Sequence, residues 1–433
     1  MAITQAQFDV LVHALIQVGS LNAPADALLK QFFRDRKALG PRDRAMVSES
    51  VYAALRRSRW LEALVPGGEP RRLAFAVLAQ LRGFSSRELE PLCRGSELEW
   101  LHALRVKAPD NPDLGFQAEL PQWVVTRLQA QFDDAEVLAL GRALQQSAAL
   151  DLRVNTLKAS VDQAQARLAA EGIKAERMPF APNGLRIKGK PSLQPLAVFR
   201  EGLIEVQDEG SQLLGHLLAP RRGEMVVDFC AGAGGKTLLL GALMQNEGRL
   251  YAFDVSERRL ANLKPRLKRS GLSNVNPVLI ANERDPRVKR LAGKVDRVLV
   301  DAPCSGLGTL RRNPDLKQRQ SPEGVAELTV KQDAILASAA SLLKVGGTLV
   351  YATCSLLFEE NEARVAVFNA AHPDFEQQDC GALLQQGRIP IEMGKTLQLL
   401  PHRHGTDGFF AAVWCRRSAP AKPAPVGGQD TAA

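Results

Sequence analysis

The chain has 433 residues, 45% of them apolar, which exceeds what one hydrophobic core usually holds and suffices for two or three. Fifty-six Lys and Arg against 47 Asp and Glu give a formal charge of +9, a bias toward a polyanionic partner. Six cysteines, at positions 93, 230, 304, 354, 380 and 415, form no CxxC pair and no framework spacing, which excludes a disulfide scaffold and a zinc site. With no apolar run of about 18 residues and no basic leader in residues 1–5, a cytoplasmic monomer without membrane segments is expected.

Residues 5–105 carry helical periodicity and almost no strand signal. Phe8, Leu11, Val12, Leu15 and Ile16 recur at the spacing of one apolar helix face, which predicts a core stripe. Residues 43–64 group Met46, Val47, Ser50, Val51, Ala54 and Leu55 in the same way, and 70–81 has the same character. Between 34 and 59, eight basic residues (Arg34, Arg36, Lys37, Arg42, Arg44, Arg56, Arg57 and Arg59) meet three acids. They are a candidate phosphate-binding patch, with ordinary solvated helix faces as the alternative.

A Pro/Asp/Asn-rich break at 109–113 predicts a domain boundary, because neither proline can continue a helix. Helix returns from Leu120 to about Gln146. The pattern then changes to a strand at 150–154, an amphipathic helix at 161–171 closed by Gly172, and strands near 174–178 and 185–187. This is a small α+β module. It closes near 191–195, and 202–206 leads into a helix start at 207–211.

A strand at 224–228 then runs into a glycine-rich turn at 229–235 and a helix that begins at Lys236 and Thr237. Such a turn brings backbone close to a nucleotide-like ligand. A phosphate-cradling GxxxxGK[ST] loop would need glycine at position 230, where Cys230 stands, and the dinucleotide GxGxxG needs glycine or alanine at Thr237. Both readings fail. Asp254 closes the next strand about 20 residues on, where a carboxylate suits two ribose hydroxyls. A glycine turn with that acid, and no diphosphate signature, points to S-adenosyl-L-methionine.

Two further strands end in cysteines. The first, 295–300, runs into Asp301, Ala302, Pro303 and Cys304; the second, 347–352, runs into Thr353 and Cys354. Short apolar β-branched runs separated by a helix-length segment predict parallel strands covered on both faces, with ligands beyond their carboxyl ends. Neighbouring strands lie about 4.8 Å apart, so the two thiols could flank one substrate atom. The C5 carbon of cytosine is too weakly nucleophilic to attack a sulfonium methyl. A thiolate that adds first to C6 converts the ring to an enamine, and loss of the C5 proton later expels the thiol. The bland alternative for each cysteine is a small buried hydrophobe, and for Asp301 a turn residue.

The chain resembles the Sun family of RNA cytosine-5 methyltransferases, and most of all its bacterial ribosomal-RNA branch, RsmB. The residues that carry the resemblance are Arg153, Val154 and Asn155; Gln207 and Asp208; the turn at 228–237; Asp301 to Ser305; Arg311 to Asp315; Thr353 to Ser355 with Glu359, Glu360 and Asn361; and 407–410. It implies that Cys354 is the nucleophile, that Cys304 assists product release, that Asp301 contacts the cytosine and that Lys236 reaches the active site. It further implies a methyl donor held by Asp228, Cys230, Ala231, Gly232, Ala233, Gly234, Gly235 and Lys236, with Asp254, Arg259, Asn282 and Asp301. The implied fold is a Rossmann-like α/β methyltransferase domain at 206–417, preceded by an all-α, NusB-like RNA-binding domain at 1–115 and by a helical linker with a small α+β RNA-binding extension at 116–205. The implied partner is RNA, most of all 16S ribosomal RNA.

The chain departs from the family pattern at three places. Gly232 and Ala233 replace an Ala-Pro pair, Asn282 replaces an acid, with Asp285 nearby as a substitute, and Gln318 replaces a tryptophan after Lys317. His402 and His404, read as loop residues, lack a third metal ligand, so no metal is expected. The Pro- and Gly-rich segment 418–433 reads as a disordered tail. Two other readings stay open: a DNA cytosine-5 methyltransferase that attacks with Cys304, and a non-catalytic RNA-binding assembly factor.

Overall fold

The computed structural model describes residues 3–104 and 112–417, so most of the proline-rich break and the whole 418–433 tail lie outside the described residues. Residues 3–104 form a helical unit with its own core. The first helix, Gln5–Gly19, starts at Thr4, whose hydroxyl accepts from the Gln7 amide while the Gln7 side chain caps the Thr4 amide. Phe8, Leu11, Val12 and Leu15 are buried, but Ile16 is 52% exposed. At about 100° per residue the buried arc is centred between Phe8 and Val18, and Ile16 falls just past its edge, beyond Val12.

The expected single helix over 43–64 is two, Pro41–Arg56 and Ser58–Leu64. The break at Arg57 is held from outside: the Glu119 carboxylate accepts from the first free amides of the second helix, Arg59 and Trp60, each at 3.1 Å. Helices Leu114–Ala118, Gln122–Gln129 and Asp134–Leu144 follow. Their apolar faces (Val124, Val125, Leu128, Val137, Leu140) share a core with Leu307, Leu310, Leu356 and Leu357. They are thereby packed onto the loops that follow the two cysteine strands.

The α+β module is an antiparallel sheet of order β2-β3-β1-β4, made of β1 (Leu150–Val154), β2 (Ala175–Arg177), β3 (Gly184–Ile187) and β4 (Ile204–Val206). The helix Val161–Ala170 packs on it through Val161, Ala164 and Leu168.

The large sheet contains β5 (Met225–Asp228), β6 (Arg249–Asp254), β7 (Val275–Leu279), β8 (Val295–Asp301), β9 (Leu343–Thr353), β10 (Phe375–Gln378), β11 (Leu397–Leu399) and β12 (Phe409–Arg416). Its order is β10-β12-β9-β8-β5-β6-β7, with β11 paired to β12. Strands β5 to β9 are parallel, and β12 runs antiparallel between β9 and β10. Alternate residues of the central strands feed two cores, Val298, Val300 and Tyr351 on one face and Leu299, Val350 and Ala352 on the other. This is the Rossmann-like arrangement of S-adenosylmethionine-dependent methyltransferases. Among the described residues, no helix is long and apolar enough to cross a membrane.

Candidate active site

Every strand that matters here ends on one edge of the sheet. At the end of β5 the turn is fastened to both neighbours: Phe229 N–H donates to the Leu299 carbonyl of β8 and Ala231 N–H to the Phe253 carbonyl of β6, each at 2.8 Å. Its two left-handed glycines are needed for different reasons. At Gly234 (φ +83°) a Cβ would lie 2.1 Å from the Leu263 side chain, whereas at Gly232 (φ +56°) it would meet nothing within 4 Å. Gly232 thus leaves the wall bare where it faces open space. Asp254, at the end of β6, is buried and accepts from Gly232 N–H and Ser256 N–H, both at 2.7 Å.

The turn opens onto a cleft of about 1000 Å³. Cys230, Ala231, Gly232, Ala233, Gly235, Lys236, Asp254, Arg259, Asn282, Asp301, Cys304 and Cys354 all line it. Asp228 and Gly234 do not; Asp228 is fully buried beneath the turn, where one oxygen takes the Thr237 hydroxyl at 2.7 Å. Asn282 is exposed on the wall, its side-chain oxygen turned back to Arg284 N–H at 2.9 Å. Asp285 is buried, accepts from the Ala281 and Arg287 amides and starts the helix Pro286–Lys289. Between the two, Asn282 is the residue at the cleft.

β8 and β9 pair with Asp301 opposite Ala352, and the bond from Ala302 N–H to the Ala352 carbonyl (2.8 Å) carries the pairing one residue further. The chains then turn toward each other. Cys304 Sγ and Cys354 Sγ lie 3.5 Å apart. The hydrogen bond to Cys354, with burial behind it, holds the Cys304 thiol well above its ordinary pKa. Beside them Lys236 Nζ donates to Asp301 Oδ2 at 2.6 Å and sits over the Phe409 ring. Burial pulls the ammonium down, but the Asp301 carboxylate more than offsets it, and Lys236 stays above the ordinary lysine range. The Cys354 carbonyl accepts Gly308 N–H at 2.9 Å, and the Gly308 carbonyl accepts Gly408 N–H at 2.8 Å. A Cβ on Gly308 would lie 2.3 Å from the Gly408 carbonyl, so three backbones pass here at contact distance.

Several residues known from the sequence only as parts of matching segments have definite work. Arg153 of β1 is buried and donates to the Gly235 carbonyl at 2.7 Å, which ties the α+β module to the start of the turn's helix. Arg312 lines the cleft, pairs with Asp208 (3.1 Å) and Asp407, and donates to the Ala149 carbonyl. No local pattern announces these contacts, because each partner lies more than 80 residues away. Lys317 is only 4% exposed and faces away from the cleft, with its ammonium on the Arg56 and Glu119 carbonyls (2.8 and 3.0 Å). Of the basic patch, Arg34, Lys37 and Arg42 are exposed, while Arg56, Arg57 and Arg59 bond to Arg311, Gln145 and Leu120. His402 and His404 belong to a short helix, Pro401–His404, and His402 contacts Glu136 at 3.0 Å.

The lining is of mixed charge, with Lys236, Arg259, Arg266 and Arg312 beside the acids. Carboxylates of Asp254 and Asp301 face the cleft, a side-chain-free glycine opens the wall, and no phosphate loop is present in the turn.

Residues 215–414 match the family described as 16S rRNA methyltransferase RsmB/F, and residues 120–194 match the RsmF/B-like ferredoxin-like domain. A protein named probable ribosomal RNA small subunit methyltransferase B from Synechocystis is 34% identical, over 86% of this chain and 91% of its own length. A Bacillus subtilis protein of the same name is 29% identical, over 93% and 97%. In the solved structure of a methyltransferase homolog protein from Pyrococcus horikoshii, 30% identical, the whole chain aligns with 72% of this one at a TM-score of 0.61. With this sheet order, this two-cysteine edge and these relatives, the chain belongs to the RsmB/F family of 16S rRNA methyltransferases.

Proposed function

We propose that the protein methylates C5 of a cytosine in 16S ribosomal RNA with S-adenosylmethionine, through a covalent bond from Cys354 to C6 that Cys304 helps to release. The observation that carries this reading is the 3.5 Å separation of the two sulfurs in the cleft that also holds the glycine turn and Asp254. Asp254, Gly232, Asn282 and the turn's backbone would hold the donor, which when bound supplies an electrophilic methyl to an activated C5. Cys354 adds to C6 as thiolate, in the cleft that Lys236 also lines. Asp301, held by Lys236, faces the N3 edge of the base and stabilises the adduct's protonated ring. After methylation the C5 proton passes to a water beside Cys304, the C5–C6 double bond re-forms and the Cys354–C6 bond breaks with the sulfur leaving as thiolate. Cys304, whose sulfur lies 3.5 Å from that of Cys354, assists release by ordering this water. Arg34, Lys37 and Arg42 on the helical unit support RNA contact, since exposed cations suit phosphates.

Two variants separate the thiols. With a cytosine-containing 16S rRNA fragment and S-adenosylmethionine, Cys354→Ala should lose activity by at least about a thousandfold and form no covalent species. Cys304→Ala should still attack and methylate but stall on its product, leaving a protein–RNA conjugate on a denaturing gel. An adduct from Cys354→Ala and none from Cys304→Ala would overturn the assignment in favour of the DNA-type use of Cys304.

A further inference from the structure

One buried carboxylate joins the loops of both thiols, and we propose that Glu360 is the positioning residue that sets the spacing of Cys304 and Cys354; this rests on the two-thiol reading above. Ser305 follows Cys304 and Ser355 follows Cys354, and the two buried hydroxyls lie 3.1 Å apart. Glu360 has no solvent exposure. Its Oε1 accepts from Ser305 N–H at 2.8 Å and from the Gln332 amide at 3.0 Å, and its Oε2 accepts from both serine hydroxyls. Gln332 also donates to the Pro303 carbonyl at 3.0 Å, so the residues on both sides of Cys304 are fastened to this one hub. The Glu360 carbonyl in turn accepts the Tyr351 hydroxyl of β9 at 2.7 Å.

Among the described residues no Lys or Arg forms an ion pair with Glu360. A carboxylate buried without a cation is costly, and apolar packing could close the same space without that penalty. What apolar packing cannot do is fix two loops by four directed bonds. Attack at C6 and the later elimination act on one base, so sulfurs displaced by about 1 Å would cost on the order of a hundredfold in rate. In Glu360→Gln the shape is kept, but one acceptor oxygen becomes an N–H₂ donor that faces donors, and at least one loop loses its anchor.

Phenylarsine oxide reads the spacing without catalysis, since its arsenic condenses with two thiols, closing two As–S bonds and releasing one water, only where the sulfurs are within a few ångströms. Wild type should bind one equivalent, reversed by a competing dithiol. Glu360→Gln should bind at least about tenfold more slowly and lose at least tenfold in kcat, with KM for RNA and donor within about twofold of wild type. Ser305→Ala, a smaller change that serves if Glu360→Gln does not fold, should slow capture in the same direction. Capture at the wild-type rate by a folded Glu360→Gln, or by Ser305→Ala in its place, overturns the proposal, as does no capture by wild type. The two readings fail separately: no adduct from Cys304→Ala sinks the two-thiol mechanism, whereas an adduct with unchanged arsenical capture in Glu360→Gln sinks only the positioning role.

Discussion

Asp228 ends β5 wholly out of water, with the Thr237 hydroxyl on one oxygen and, among the described residues, no partner on the other. Burial pushes its carboxyl up to about 7 from an ordinary 3.8, against the pull of Thr237. A raised acid binds its proton more tightly in the folded state, so its contribution to stability is complete below about pH 4 and is lost as pH rises through 7. The loss is of order 4 kcal/mol at most, at about 1.4 kcal/mol per pKa unit. Asp228→Asn keeps an acceptor for Thr237 and should flatten this dependence. Its melting temperature should fall less than that of wild type between pH 5 and pH 8, and equal falls would mean that Asp228 does not titrate in that window. At this scale much of the site was legible in the sequence. The glycine turn, Asp254 and the strand-end thiols are local patterns with fixed spacing, whereas the buried placement of Asp228 and the hub at Glu360 depend on what packs around them. Ile16 failed for the same reason, since a spacing match cannot tell where on the helix the neighbours end.

Among the elements, the segment 310–319 after the Cys304 loop is where the parts of the molecule meet. Asp315 accepts the Ala25 amide of the helical unit at 3.2 Å, the Arg311 carbonyl accepts from Arg56 at 3.1 Å, and Lys317 reaches Arg56 and Glu119. Glu119, only 1% exposed and in the left-handed region (φ 57°), closes the joint, with its carboxylate on Arg59 N–H and Trp60 N–H and Arg57 at 3.6 Å. Glu119→Ala leaves two amides and the Lys317 charge without that partner in a dry joint, a loss of about 3–5 kcal/mol. Calorimetry should then resolve an earlier transition for the helical unit, where wild type melts with fewer separate steps. A single unshifted transition would show that the joint carries no coupling. None of this was readable beforehand. The break at Arg57 has no proline or glycine to mark it, and its cause sits 62 residues away at Glu119.

Across the whole molecule, the strand pattern gave the parallel half of the sheet by composition alone, because β5, β6, β8 and β9 are buried on both faces and read as apolar runs. The antiparallel end was not legible: nothing local in 409–416 says that it lies between β9 and β10. That insertion has a consequence for the making of the protein. β9 and β12 are side by side but separated by 55 residues of chain. At synthesis rates of about 5–20 residues per second, β9 waits roughly 3–11 s with one edge bare. The helical unit, whose contacts are short in sequence, can close long before. Nascent chains stalled after residue 405 should therefore yield β9 to a protease that the released protein resists, while residues 3–104 remain protected; equal resistance of β9 in both would mean that another segment shields it. The strand that delivers Cys354 is in this sense born unfinished, and β12 decides when the enzyme begins to exist.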